Sequence, residues 1–142
     1  MVDDIDLSIL NVLESDASAS FSDLARKLKL NESTVRKRVL ALKDKKIIKK
    51  FSISIDPQKI GFNTIAIIGI DVDPPKLLEV AQKICGITEM KSVATSTGDH
   101  MIMCEVWAKD CKALLKISSE KIEKIDGIKK ICPAIILEKL KG

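Results

Sequence analysis

Asn31-Glu32-Ser33-Thr34-Val35-Arg36-Lys37-Arg38-Val39-Leu40-Ala41-Leu42-Lys43 is the stretch that the rest of the chain serves. A helix advances about 100° per residue, so Val35, Val39 and Leu42 fall on one apolar stripe. Ser33, Thr34 and Lys37 lie roughly opposite, with Arg36 and Arg38 on the flanks. Asn31 is a suitable N-cap, because its side-chain oxygen can accept from the orphan N–H groups of the first turn. One face therefore suits a core, and the other offers small hydroxyls framed by cations. A DNA groove has the matching layout, with phosphates on both sides and base edges between them. A solvated basic face has the same composition, and the surrounding chain has to decide between the two.

The charge distribution favours a polyanion partner. The chain has 142 residues and a net charge of +4. Residues 1–25 carry six acids and no Lys or Arg, whereas residues 26–50 carry eleven Lys/Arg against Glu32 and Asp44. Residues 51–142 nearly balance, with 13 basic and 12 acidic side chains. A basic block confined to one segment is the electrostatic footprint of nucleic-acid binding.

Other classes fit poorly. Hydrophobic residues make up 46%, enough for a real core. No apolar run approaches the ~20 residues of a membrane span, and the acidic start is unlike a secretory signal. A cytoplasmic protein without a membrane partner is expected. Cys85, Cys104, Cys111 and Cys132 form no CxxC pair, and His100 is the single histidine. Buried structural thiols are expected rather than a metal site. No nucleophile–base pair, phosphate loop or dinucleotide fingerprint is present, so no catalytic residue, cofactor or enzymatic activity is expected.

Outward from the opening stretch, Asp3 to Leu13 reads as a first helix with Ile5, Ile9, Val12 and Leu13 on one side. Ser20-Phe21-Ser22-Asp23 has the Ser-x-x-Asp capping pattern and opens a short second helix. Lys29-Leu30-Asn31 then makes a tight turn into the third, the spacing of a helix-turn-helix. Lys49 to Ile55 alternates polar and apolar residues and predicts a half-buried strand, closed by Asp56-Pro57.

The second half has a different rhythm. Thr64 to Val72 predicts a buried strand, and Asp73-Pro74-Pro75 opens a helix with Leu77, Val80, Ala81 and Ile84 aligned. Glu89–Thr97 and Met101–Trp107 predict a hairpin about Gly98-Asp99-His100. A second helix starts at Asp110, with Cys111, Leu114, Leu115, Ser118, Ile122 and Ile125 on one side, and Ile131–Leu137 is the last strand. The order βαββαβ is a ferredoxin-like sheet with helices on one face, and a second subunit is the simplest cover for the other. Pro133 places its strand at an edge or a bulge. The polar turn Thr95–His100 has two readings: a cradle for a small zwitterion at a subunit edge, or a plain hairpin turn using glycine's backbone freedom.

The assembled pattern resembles the Lrp/AsnC, or feast/famine, family of prokaryotic transcription regulators. The resemblance rests on Asp6-Leu7-Ser8-Ile9-Leu10, Phe21-Ser22-Asp23-Leu24-Ala25 and Ser33-Thr34-Val35-Arg36-Lys37-Arg38-Val39 in the three helices. It extends to Lys46-Ile47-Ile48, Asp56-Pro57-Gln58-Lys59-Ile60-Gly61, Thr97-Gly98-Asp99-His100 and Ile135-Ile136-Leu137. It implies an α+β chain: a winged-type helix-turn-helix domain over residues 1–50, a hinge strand and linker over 51–63 that pairs between chains, and a βαββαβ, ACT-like domain over 64–142 for oligomerisation and amino-acid sensing. It also implies a homodimer that assembles further to tetramers or octamers and acts on promoters, its own included.

The expected DNA-binding residues are Ser22, Ser33, Thr34, Arg36, Lys37, Arg38 and Lys43, and the expected effector-binding residues are Thr97, Gly98, Asp99 and His100. Two places depart from the family's effector pattern. Met101 stands where an acid is usual, and Ile131 and Pro133 replace a Thr-x-Thr pair. The alternative function is a small-molecule-sensing or scaffold oligomer that touches DNA only weakly and without sequence preference.

Overall fold

The computed structural model describes all 142 residues, in two compact units, Met1–Ile55 and Asp56–Gly142. In the first, α1 spans Asp4–Ser15, α2 Phe21–Leu28 and α3 Glu32–Asp44. Asp3 caps α1 through a reciprocal box, its carboxylate accepting from the Asp6 N–H while that of Asp6 accepts from the Asp3 N–H. Two orphan donors are satisfied at once. Ser20 and Asp23 form the expected box on α2. Asn31 holds the N-cap position of α3 with extended backbone, but its side chain caps nothing. Ile9, Leu24, Val35 and Val39 are buried together, and Leu42 further along α3 is buried as well, at 2% exposure.

The predicted strand over residues 49–55 does not form, so the helical unit has no β wing. A strand needs a neighbour for its N–H and C=O groups, and no element of the chain pairs with this one. Its apolar positions Phe51, Ile53 and Ile55 remain exposed.

In the second unit β1 (Thr64–Val72), α4 (Leu77–Cys85), β2 (Met90–Thr95), β3 (Ile102–Ala108), α5 (Cys111–Ile117) and β4 (Ile128–Ile135) follow in the expected βαββαβ order. The sheet runs β2-β3-β1-β4 and is antiparallel throughout. Ala66, Ile68, Ile70 and Val72 of β1 alternate onto one face. There they share a core with Val80 and Ile84 of α4 and with Leu114 and Ile117 of α5. β4 is an edge strand, which is how the ladder tolerates Pro133.

Three expectations need correction. The last strand begins at Ile128 and ends at Ile135, and Leu137 beyond it is almost fully exposed. The stripe on α5 holds only in part: Leu114 and Ile122 are buried as expected, but Cys111 and Leu115 are exposed and Ile117 is buried in their stead. A π turn over Ser118–Ile122 continues α5 and skips one residue of helical phase, so the inner line runs from Ile117 to Ile122. Of the cysteines only Cys104 is buried, its thiol pushed up to about 11 by desolvation, while Cys85 and Cys111 are exposed.

The other sheet face carries Ile65, Ile67, Gly69 and Asp71 of β1, with Met103, Glu105 and Trp107 of β3 beside them. No helix covers it.

Ile70 is fully buried at the centre of the sheet. Ile70→Ala should destabilise this unit by about 2–5 kcal/mol in urea unfolding, through lost transfer energy and the cavity left behind.

Candidate nucleic-acid interface and the hairpin turn

The helical unit sorts its charges. Arg38 is half-buried and points back into the unit: its Nη1 donates to Asp3 Oδ2 at 2.6 Å, Asp3 Oδ1 at 2.7 Å and Asp6 Oδ1 at 3.2 Å. The Arg38 guanidinium, helped by the Asp6 N–H, holds the Asp3 carboxyl below its ordinary range, and the same hydrogen bonds raise the guanidinium. Arg38 therefore ties α3 to the start of α1 and is not extended into solvent as a phosphate contact would be. The signal for this lay in the acids of the first turn, which balance a cation 35 residues later.

The remaining predicted residues stay on the surface. Ser33 and Lys37 are exposed, Lys37 forms no ion pair, and Thr34 is half-buried. Arg36 is exposed, 3.4 Å from Glu32 Oε1, with its Cζ 5.3 Å above the Phe21 ring. Lys43 lies 5.6 Å over Phe51. Such stacking holds a cation's stem in place while leaving its donors free. Ser22 is exposed in the first turn of α2, where the helix dipole is positive. Beside α3 an open cavity of about 400 Å³ is lined by Asp6, Thr34, Lys37, Arg38, Ala41 and Ile47, among others.

The turn between β2 and β3 divides the four effector candidates. Thr97, Gly98 and Asp99 are exposed, and Gly98 has φ +100°, a conformation glycine adopts without strain. His100 turns back over the uncovered sheet face. A Cβ built on Gly69 would stand 2.3 Å from its ring, so the imidazole occupies the space a side chain would need. Its Nδ1 is 3.4 Å from Asp71 Oδ1. Gly69 and Asp71 were missed as partners of this turn, although a glycine inside an apolar strand marks a close approach. Met101 and Ile131 are half-buried and Pro133 exposed, which leaves the turn without the polar neighbours of the family's effector pattern.

Comparison with known proteins agrees with this architecture. Residues 2–43 match the AsnC-type helix-turn-helix domain and residues 65–142 the Lrp/AsnC ligand binding domain. The chain is 48% identical over 141 residues to the HTH-type transcriptional regulator LrpA of Pyrococcus horikoshii, covering 99% of this chain and all of that protein. It is 35% identical to LrpA1 of Halobacterium salinarum, covering 94% of each. Among solved structures it superposes on E. coli AsnC with a TM-score of 0.89 at 24% identity, covering 100% and 96%. It superposes on the M. tuberculosis feast or famine regulatory protein complexed with L-methionine with a TM-score of 0.92 at 24% identity, covering 100% and 96%. A transcription regulator with a helix-turn-helix and a ligand-binding sheet domain is the class these features define. The chain belongs to the Lrp/AsnC family and acts as a DNA-binding transcription regulator.

Two outcomes are expected. A carboxylate with a depressed folded-state value contributes stability that is present above its unfolded value, about 3.9, and is lost as pH falls through the folded value. Acid unfolding of the helical unit should therefore steepen below about pH 4, and Arg38→Ala should flatten that dependence when stability is measured against pH. Gly69→Ala should displace the His100 ring and shift the proton resonances of this single histidine in NMR spectra.

Proposed function

We propose that two copies of this chain bind a pseudo-palindromic DNA site, each laying α3 in a major groove. Ser33, Thr34 and Lys37 address base edges. Arg36 and Lys43 swing from their aromatic rests to phosphates, and Ser22 meets the backbone at the positive end of α2. Arg38 positions α3 rather than gripping DNA. The observation that carries this reading is that Ser33, Thr34 and Lys37 on α3 take part in no ion pair, while Asp3 and Asp6 at the start of α1 are occupied by Arg38.

Two unmet needs support the dimer. The sheet face with Ile65, Ile67, Met103 and Trp107 lacks a cover, and residues 49–55 lack a ladder partner. A second copy supplies both, and further pairing builds tetramers or octamers in the cytoplasm. Promoters, the protein's own among them, are the targets. A two-fold dimer sets its half-sites about 34–36 Å apart or a multiple of that. An amino acid is the effector class, because a structural relative is complexed with L-methionine. The turn Thr97–His100 is where it would act, and calorimetry with each of the twenty amino acids tests it.

A gel shift on the upstream region and on sites selected from random DNA is the central experiment. Arg36→Ala should weaken binding to every sequence alike and reduce the salt slope by about 1. Lys37→Ala should cost about 1–3 kcal/mol on the selected site and relax the sequence preference. Binding that is weak and indifferent to sequence would favour the scaffold oligomer instead.

A further inference from the structure

We infer that Leu40 is a specificity-determining residue that reads the C5-methyl group of a thymine in the major groove. Val35, Val39 and Leu42 make the buried line of α3. Moving each back by two residues gives Ser33, Lys37 and Leu40, a line with the same spacing turned by about 200°. All three are exposed, Leu40 at 48%. Leu40 thus sits on the exposed centre line of α3 rather than on a flank. A single exposed leucine is ordinary on a protein surface. Its place in line with a free hydroxyl and a free ammonium is what gives it a role.

The chemistry selects the base. Seven residues separate Ser33 from Leu40, about 10 Å of helix, or about three base pairs at 3.4 Å each. Lys43 flanks Leu40 on one side and Asp44 follows it at the end of α3, whereas the Leu40 side chain itself and the exposed Ala41 on the other flank offer no donor or acceptor. Against guanine or cytosine such a surface would strip water from O6 or N4 and return no hydrogen bond. The thymine methyl is the one apolar group on a major-groove base edge. Leu40 therefore favours an A·T pair about three steps from the base that Ser33 addresses.

This inference rests on α3 being the groove-reading helix, and one set of measurements separates the two. The full-length protein is titrated with its selected DNA site, in which each thymine of a half-site is replaced in turn by deoxyuridine, removing only the methyl. At one position per half-site the wild-type protein should lose about three- to fivefold in affinity. Leu40→Ala should start lower by a similar factor and lose nothing further there. Equal losses in both proteins at every position, or none in either, would overturn the inference. So would loss of the dimer on Leu40→Ala by light scattering, because Leu40 would then be covering a subunit contact. If Lys37→Ala relaxes specificity while Leu40 and the methyl stay uncoupled, only the Leu40 role fails. If neither substitution changes any affinity, the groove-reading role of α3 fails with it.

Discussion

A sheet has two faces, and the two helices of the second unit cover one of them. That constraint organises the rest of the molecule. The covered face buries Ala66, Ile68, Ile70 and Val72 and closes a core. The other keeps Ile65, Ile67 and Met103 only half-buried around Gly69. Apolar surface of this kind gains stability when another sheet packs on it. In a DNA-binding family this has a direct use. Two linked helix-turn-helix units bind with the strength of a bivalent ligand, so each half-site contact can stay weak and reversible.

The helical unit solves a second problem, which is how to keep a strongly basic segment folded and aimed. More than thirty residues separate Asp3 and Asp6, at the start of α1, from Arg38, yet they meet in one ion cluster that is partly shielded from water. Removing one cation from the exposed set lowers self-repulsion and fixes the rotation of α3 about its axis. Arg36 and Lys43 are held over Phe21 and Phe51. At Lys43 a phosphate has only to outcompete a weak stacking contact, and at Arg36 it must also displace the exposed Glu32 carboxylate.

Much of this was legible in the residues. The 3.6-residue period of Val35, Val39 and Leu42, the Ser20–Asp23 box and the βαββαβ rhythm are local signals, and each gave its element correctly. What escaped was set by distant contacts or by phase. Residues 49–55 have the alternation of a strand, but pairing belongs to the sheet and not to the segment. The middle of the inner line of α5, Ile117 in place of Leu115, escaped because a π turn has no composition signal. Arg38 reads as a surface cation until α1 folds against it, and His100 reads as a turn residue until β1 lies beneath it. Thr97, Gly98 and Asp99 were correctly read as a polar turn.

Gly69 and His100 share one volume: the imidazole fills the hole that the absent side chain leaves in β1. The two positions are therefore a single steric unit, although they are thirty-one residues apart in sequence. A relative that acquires any larger residue at the first must shrink or turn away the second. Evolution along this strand is consequently paired, and the outline that one sheet offers another can change only by such joint steps.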